Sequence, residues 1–253
     1  MDCYSNSLKL FMKTKFRELI LLGFILIFIG CEEENTVETN DPVPTGPQLI
    51  LYLPFSGNAN DESGNGNNAS VINATLASDR SGNNNSAYYF NGNSNYISIP
   101  SSSSLESVKN GISFSAWFYI NEWYDDKWAP LISKSSNSSH GMFGFQLLNF
   151  STRKEFEVKL KGSSVNADYL FQKNQWYHIA FTWDGTNCKY FVNGAKFYER
   201  QWNNTISPNN KPLLIGKDTP EITEYFNGRI DDIRIYDKAI GETQVDSLFR
   251  LNN

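Results

Sequence analysis

Alternation of apolar and polar residues is the feature that most limits how this chain can fold, and it is clearest between Gly111 and Ile120. An extended strand turns successive side chains to opposite faces, whereas an amphipathic helix repeats every three or four residues. The segment separates completely into two faces: Ile112, Phe114, Ala116, Phe118 and Ile120 on one, and Ser113, Ser115, Trp117 and Tyr119 on the other. The pattern therefore predicts β-sheet with one apolar face, and the aromatic fraction of 15% also favours an aromatic and β-branched core over a helical bundle.

Similar short runs continue from Gln48 almost to the C-terminus, separated by turns rich in Gly, Asn and Asp. The Asn193-Gly194 pair is a strong two-residue hairpin signal, because both turn positions need a positive φ. Glu242 to Leu251 has apolar residues at helical spacing and is predicted to be a short closing helix. The predicted strands include Leu49–Phe55, Ala87–Phe90, Asn95–Ile99, Phe143–Leu148, Glu155–Leu160, Trp176–Trp183, Lys189–Val192, Ala195–Glu199, Leu213–Ile215 and Arg229–Tyr236. They predict an all-β protein with one antiparallel β-sandwich over residues 48–253.

Residues 1–30 carry the pattern of an export signal. Leu19 to Gly30 is apolar or small throughout and follows Lys13, Lys15 and Arg17, which is the charged-then-apolar order of a secretory signal peptide. The run is too short for a comfortable membrane span. Cys31 follows directly, an arrangement that resembles the bacterial lipobox, in which this cysteine is lipidated. Ordinary signal cleavage beside an incidental cysteine is the alternative.

Residues 31–47 are predicted to be a flexible tether, because an acidic triplet and a Pro-, Thr- and Asn-rich stretch contain too little apolar surface to fold. The triplet, Glu32 to Glu34, resembles the surface-export signal of some Gram-negative lipoproteins; a solvated linker is the alternative. We expect a lipid-anchored protein of the outer membrane, exposed at the cell surface if the triplet acts as that signal. Met12 is an alternative start of the signal peptide.

The charge balance argues against nucleic acid as a partner. Lys and Arg number 22 against 27 Asp and Glu, a formal net charge of −5. Removing residues 1–30 leaves 18 positive and 25 negative charges, a net charge of −7. Because binding to a phosphate backbone needs a basic surface, the mature chain is expected to bind no nucleic acid and to contact the membrane only through its lipid.

Short segments spread over residues 48–251 follow one another in the order of a known family. They are Leu51–Phe55, Gly57–Asn67, Asp79-Arg80, Ala87–Gly92, Ile112–Phe118, Trp176–Ala180, Val192–Gly194, Leu214–Gly216 and Phe226–Tyr236. The series resembles the bacterial laminin-G-like domains of the concanavalin A-like lectin/glucanase superfamily. The resemblance implies a concanavalin A-like jelly roll. It leaves function open, because lectins, hydrolases, adhesion modules and structural domains share that fold.

An early loop carries candidate metal ligands. Asp61, Asn65 and Asn67 alternate with glycines, and their oxygen atoms are of the hard type that Ca²⁺ prefers. The loop is not an EF-hand, because counting Asp61 as the first position places Ile72 where the bidentate Glu is required. An ion held here needs another acid from elsewhere in the fold.

Asp231 is the predicted fourth ligand. It shares strand parity with Ile233, which predicts that it points to the apolar side, where a carboxylate needs a cation or several hydrogen-bond donors. The resemblance also implies a structural Ca²⁺ between an early loop and the late strand. The alternatives are an Asx-turn at Asp61 with backbone or Arg bonds at Asp231, and Asp232 as the ligand.

Aromatic side chains outside the alternating strands are candidate sugar contacts, because aromatic faces stack on the C–H faces of pyranose rings. Trp123, Tyr124 and Trp128 lie together beside polar residues, and Trp202 is a second loop aromatic. The alternative is that these side chains fold back over the sandwich. The strand residues Trp117, Trp176 and Trp183 are expected in the core.

Nothing in the sequence identifies a catalytic set. The glucanases of the superfamily carry a Glu-x-Asp-x-(x)-Glu strand, and this chain has no such string. Glu155 and Glu157 share a strand face, but Lys159 continues it, which is typical of a solvated side. His140 and His178 have no identifiable Ser and acid partners.

We therefore expect a non-catalytic carbohydrate-binding or adhesion module that holds a glycan or glycoprotein at the cell envelope. A structural or protein-interaction domain of an envelope complex is the alternative, and a divergent glycan hydrolase or lyase is third.

Overall fold

The structure is a computed structural model that describes residues 45–124, 127–135, 141–150, 154–221 and 223–251. Its strands are β1 (Leu49–Leu53), β2 (Ser70–Ile72), β3 (Thr75–Ala77), β4 (Ala87–Asn91), β5 (Tyr96–Ile99), β6 (Ile112–Ile120), β7 (Trp128–Ser135), β8 (Gly141–Asn149), β9 (Lys154–Leu160), β10 (Ser163–Asp168), β11 (Trp176–Trp183), β12 (Asn187–Val192), β13 (Ala195–Gln201), β14 (Leu213–Ile215) and β15 (Asn227–Tyr236). The helices are α1 (Ser103–Glu106) and α2 (Glu242–Arg250). The predicted all-β class and the short C-terminal helix are confirmed.

The strands form two antiparallel sheets. Sheet A has the order β13-β12-β11-β6-β15-β4-β3, with β1 also paired to β15, and sheet B has the order β10-β9-β8-β7-β14-β5-β2. Hairpins join consecutive strands such as β11 to β13 and β7 to β10, while pairs such as β6 and β15 are far apart in sequence and require long connections. This arrangement confirms the predicted antiparallel β-sandwich.

The inner faces of the two sheets build the core. The apolar face predicted for β6 is fully inside, and Phe114 stacks on Phe145 of sheet B with ring centroids 4.4 Å apart. Phe145 in turn contacts Phe181 at 5.8 Å. Such interdigitated aromatic pairs join the sheets and leave their outer faces for other contacts.

Helix α2 covers part of the outer face of sheet A. Val245 and Leu248 are buried with Ala180 and Tyr236, and Phe249 lies 5.7 Å from the ring of Trp117. This apolar side explains the spacing that predicted the helix. Across the residues that the structure describes, no helix is long and apolar enough to cross a membrane.

A β-bulge in β15 reverses the expected direction of Asp231. Asp231 pairs with Trp117 and Arg234 with Ser115, so β15 contains one more residue than β6 between these pairs. Asp232 is the extra residue, with φ of 51°. Asp231 therefore shares the outer face with Trp117, and the prediction that it points to the apolar side was wrong because parity cannot be counted through a bulge.

The sandwich has two ends, defined by the ends of β15. At the proximal end the chain enters the fold, where the Gln48 backbone N–H donates to Asp237 Oδ1 at 2.7 Å. At the distal end the Asn121 backbone N–H donates to the carbonyl of Asn227 at 3.1 Å. A ten-residue strand separates these ends by about 30 Å.

Candidate functional site

The early loop is tied together by the predicted ligand Asp61. Its Oδ1 accepts from the backbone N–H groups of Tyr52 and Ser63, and its Oδ2 accepts from the hydroxyl of Ser63 and the backbone N–H of Asn67. The bond to Ser63, two residues on, is that of an Asx-turn. Both carboxylate oxygens therefore already stabilise the loop itself.

The amides of the loop have structural partners as well. The side chain of Asn67 donates to the Ile50 carbonyl at 2.7 Å and accepts from the Ser102 hydroxyl at 2.6 Å. The side chain of Asn65 donates to the Leu49 carbonyl at 3.0 Å. The structure thus brings Asp61, Asn65 and Asn67 into one loop, as predicted.

Asp231 belongs to a different cluster. Its Oδ2 lies 2.6 Å from Nη1 of Arg80, and Arg80 also contacts Asp232 at 3.5 Å. Burial raises the pKa of Asp231 to about 7, although the charge of Arg80 acts in the opposite direction. Asp231 thus has a guanidinium as its partner, whereas Asp61 is bonded within its own loop.

In the structure the carboxylates of the predicted ligands Asp61 and Asp231 have separate partners. Among the described residues no group of three or more His, Cys, Asp or Glu side chains is arranged to hold a metal ion. The alternative of an Asx-turn at Asp61 and an Arg bond at Asp231 matches the observed contacts. Calcium binding stays a prediction from the sequence.

Trp202 is not an exposed loop aromatic. Its side chain is only 8% exposed, its ring lies 6.3 Å from that of Trp183, and its carbonyl accepts from the Trp183 indole N–H. The prediction that Trp202 contacts a ligand is corrected, because the connection after β13 folds this ring into the core.

Trp123 and Tyr124 lie at the distal end of the sandwich. Trp123 is partly buried against the core. The Tyr124 ring covers Gly92, and its hydroxyl accepts from the Asn227 side chain at 3.0 Å. Tyr124 is still 37% exposed, so part of its ring faces solvent. These two aromatics pack on the fold and border the distal surface.

Trp128 begins β7 and lies on the outer face of sheet B. Its ring meets Phe150 edge-on at 5.4 Å, and Nζ of Lys159 stands 4.8 Å from the ring centroid. The side chain is half-buried. Trp128 is therefore the predicted aromatic that lies beside charged groups on an outer sheet face.

The outer face of β9 beside Trp128 is not the solvated side that the sequence predicted. Glu155 and Glu157 are 6% and 4% exposed. Glu157 accepts from the amide of Gln146 and lies 3.8 Å from Nζ of Lys159, while Glu155 accepts from the side chain of Asn166. Burial raises the pKa of Glu157, and the charge of Lys159 opposes that change. Neighbouring strands, invisible in a one-strand pattern, remove these carboxylates from water.

The connection between β14 and β15 adds two more carboxylates to this face. Burial raises the pKa of Asp218, and the charge of Lys159 acts against it. The pKa of Glu224 rises to about 7 because the group is buried and because the charge of Asp218 is close, while a hydrogen bond from the Trp128 backbone opposes the rise. Lys159 is thus the cation shared by several acids.

We name this cluster the Trp128 face; its residues are Trp128, Gln146, Glu157, Lys159, Asp218 and Glu224. It combines an aromatic ring with an amide, an ammonium group and carboxyl groups. Trp128, Lys159 and Glu224 are partly exposed, so a ring, an ammonium group and a carboxyl group can meet an apolar ligand face and its hydroxyl groups, while Gln146, Glu157 and Asp218 are buried. Sequence reasoning missed Gln146, whose polarity within the apolar run of β8 was a usable signal. It had no signal for Asp218 and Glu224, which lie in an irregular connection.

The pair formed by His178 and Ser115 on sheet A lacks the features of an activated nucleophile. Nε2 of His178 lies 2.8 Å from the hydroxyl of Ser115, and the ring of Phe249 covers the pair at 5.9 Å from the imidazole. Burial lowers the pKa of His178 to about 3, assisted by the charges of Arg80 and Arg234. Nδ1 of His178 has no hydrogen-bond partner within the described part of the chain, so no acid orients the ring. His140 lies outside the described residues.

Comparison with solved structures shows the same fold in proteins of low sequence identity. The chain is similar to the binding domain of Paraclostridial Mosquitocidal Protein 1, with 19% identity and a TM-score of 0.64 over 81% of this chain and 52% of that one. It is also similar to domain 4 of AbnA, a GH43 extracellular arabinanase from Geobacillus stearothermophilus in complex with arabinotriose, with 19% identity and a TM-score of 0.62 over 81% and 99% of the two chains.

A third similar structure is that of botulinum neurotoxin type C, whose cell entry is dependent upon interaction with two ganglioside molecules. Its identity is 17% and its TM-score 0.64, over 81% of this chain and 51% of the other. The chain thus spans about half the length of the two toxin chains and nearly all of the arabinanase domain.

A comparison with curated protein sequences gives no match. The sequence profile of the Laminin_G_3 family, described as the concanavalin A-like lectin/glucanases superfamily, matches residues 91–246. That range is more than half of the chain and includes the strands that build most of both sheets. With the two-sheet architecture, it shows that the chain belongs to the Laminin_G_3 family of concanavalin A-like domains.

Proposed function

We propose that this protein is a non-catalytic glycan-binding or adhesion module, carried at the cell envelope by a lipid on Cys31. The observation that carries the proposal is the Trp128 face, where an indole ring stands 4.8 Å from the ammonium group of Lys159 among carboxyl groups. Sugars present both C–H faces and hydroxyl groups, and therefore need this combination of ring, donors and acceptors.

The folds of similar proteins support a binding module. The arabinanase domain is seen with arabinotriose, and the two toxin chains are a binding domain and a protein that interacts with gangliosides. Low identity limits the comparison to fold, so it supports the class of function and does not transfer a site.

The position of the chain entry supports display. Residues 45–48 join the fold at the proximal end, where Lys238 Nζ donates to the Thr45 carbonyl at 3.0 Å. Trp128 follows the distal connection after β6, at the other end. An anchor attached through residues 31–47 would therefore leave the distal end free to meet a ligand.

Replacing Trp128 with alanine is expected to weaken glycan binding at least about 10-fold, because truncating a central aromatic contact removes much of the binding energy. Trp128→Phe keeps a ring and should retain most of the affinity. The measurement is retardation of the full-length chain in native gels containing soluble arabinan, dextran or polygalacturonate. Equal retardation of wild type and Trp128→Ala would place the site elsewhere.

A divergent hydrolase is the competing function, favoured by one observation. Glu224 has a pKa of about 7, in the range of a general acid, and interacts with the nearby Asp218. Release of reducing ends from a retained polysaccharide, lost in Glu224→Gln, would replace the non-catalytic proposal. A structural domain of an envelope complex would show neither retardation nor release.

The lipid anchor has its own test. Mass spectrometry of the protein purified from the native membrane fraction should find Cys31 as the N-terminal residue, carrying acyl chains, and Cys31→Ser should move the protein to the soluble fraction. A mature N-terminus at another residue would instead indicate ordinary signal cleavage.

A further inference from the structure

The outer face of sheet A carries a second group of aromatic residues, at the distal end and apart from the Trp128 face. Four side chains lie in direct cross-strand register on adjacent strands. Trp176 of β11 pairs with Tyr119 of β6, Tyr119 pairs with Arg229 of β15, and Arg229 pairs with Tyr89 of β4. Directly paired residues share one face, so the four form a continuous row, which we name the aromatic row.

The aromatic row is accessible. Each of its four residues is partly exposed, whereas Trp117, two residues before Tyr119 on the same face, is buried under Phe249. The rings of Tyr119 and Trp176 have centroids 5.7 Å apart. At the usual strand spacing the row is about 14 Å long. Trp176 was predicted to be a core residue, and its partly exposed position on the outer face corrects that prediction.

Arg229 is the unusual member of the row. Its guanidinium carbon lies 4.9 Å from the centroid of the Tyr119 ring. Within the described residues it forms no salt bridge and donates no side-chain hydrogen bond, in contrast to the paired Arg80, Arg234 and Arg250. A guanidinium placed over a ring keeps the N–H groups of its edge available, and those groups match an oxyanion in two parallel hydrogen bonds.

We infer that the aromatic row is a second glycan-binding site, which takes a pyranose chain bearing a carboxylate or sulfate group. The rings of Trp176, Tyr119 and Tyr89 provide stacking surfaces for successive sugar units. Arg229, between two of these rings, pairs with the anionic group. The site extends the proposed function but does not depend on Trp128, because the aromatic row lies on sheet A and Trp128 lies on sheet B. It also gives a protein of negative net charge a local means of holding an acidic ligand.

The test uses the full-length chain and two matched pairs of polymers: polygalacturonate with its methyl ester, and dextran sulfate with dextran. Wild type is expected to bind the charged member of at least one pair about 10-fold more tightly than the neutral member. Arg229→Gln should remove that preference, since a hydrogen bond to a charged group contributes about 10-fold or more in affinity. Trp176→Ala should weaken binding to both members of the pair. A preference for polygalacturonate over its methyl ester indicates a carboxylate ligand, and a preference for dextran sulfate over dextran indicates a sulfate ligand.

Arg200→Gln is the matched control, because Arg200 is an exposed arginine on β13. It removes the same charge away from the row and should leave binding unchanged. Equal losses in Arg200→Gln and Arg229→Gln, equal binding of charged and neutral polymers, or binding insensitive to Trp176→Ala would each overturn the inference. If Trp128→Ala alone abolishes binding, the second site fails and the Trp128 face stands. If Trp176→Ala alone does so, the Trp128 face fails and the aromatic row stands.

Discussion

Replacing Arg80 with methionine is expected to lower the free energy of unfolding by about 3–5 kcal/mol, the usual effect of removing one partner from a buried ion pair. The Arg80 side chain is only 6% exposed and bonds Asp231, Asp232 and the carbonyl of Leu251 beyond helix α2. Its guanidinium also lies 4.5 Å from the ring of Trp117. The variant leaves two buried carboxyl groups without this cation and loosens the end of α2.

The loss should grow with pH. The pKa of Asp231 in the folded protein, about 7, lies above its ordinary value, so this group favours folding below about pH 4 and loses that contribution as the pH rises through 7. Without Arg80 the ionised form of Asp231 has no guanidinium beside it, so the free energy needed to ionise Asp231 in the folded protein increases. Urea unfolding should therefore show a larger difference from wild type at about pH 8 than at about pH 5.

The control for this variant is Arg250→Met. The Arg250 side chain is 70% exposed and pairs with Asp246 at 2.8 Å, one turn earlier on α2. An exposed pair of this kind contributes little, so its loss should change stability by less than about 0.5 kcal/mol. If Arg80→Met behaves like Arg250→Met, the buried cluster does not hold α2 as described.

Gly228→Ala is expected to be as damaging, for a steric reason. A Cβ at this position would lie 1.9 Å from the Tyr119 carbonyl oxygen and 2.9 Å from Cε1 of Phe226. Both neighbours are fixed by β6 and the core, so β15 has to move away from β6. The expected loss is about 4 kcal/mol or more, a large fraction of the roughly 5–15 kcal/mol by which ordinary domains are stable.

Thermal unfolding followed by circular dichroism measures that loss, with Gly144→Ala as the matched strand glycine. A Cβ on Gly144 would meet the Ile132 carbonyl at 3.7 Å, an ordinary contact, so the change should stay within about 1 kcal/mol. A stable Gly228→Ala variant with the wild-type melting temperature would show that β6 and β15 are not this closely paired.

The alternation in β6 predicted the sandwich correctly because a strand with one apolar face has to bury it against a second layer. The same parity argument failed for Asp231, because a single extra residue at Asp232 reverses the face of everything before it. Strands β2, β3, β7 and β10 were not predicted: β2 and β3 are only three residues long, and the bulges in β7 interrupt its alternation. A run of three residues is too short to show a period, and a bulge depends on the partner strand, which one strand's pattern does not contain.

The site was predicted less well than the fold. Trp128 and Trp202 were chosen by one criterion, an aromatic residue beside polar ones in an irregular segment, yet Trp128 lies on an outer sheet face and Trp202 is in the core. Glu157 was dismissed because Lys159 suggested a solvated face, although Glu157 is buried and lies 3.8 Å from Nζ of Lys159. The sequence did not show that Tyr119 and Arg229 are neighbours, because this depends on the register between β6 and β15. Binding surfaces on a sandwich depend on which strands are neighbours, and pairings between strands far apart in sequence determine those neighbours.

We propose that the distal end of this sandwich binds a glycan. The most direct test is hydrogen–deuterium exchange of the full-length chain with and without the polysaccharide that it retains in a native gel. We predict slower exchange in residues 121–128 and 216–226, or around Tyr119 and Trp176 for an acidic chain, and unchanged exchange at the proximal residues 45–49. No retained polysaccharide, or protection confined to the proximal end, would contradict the proposal.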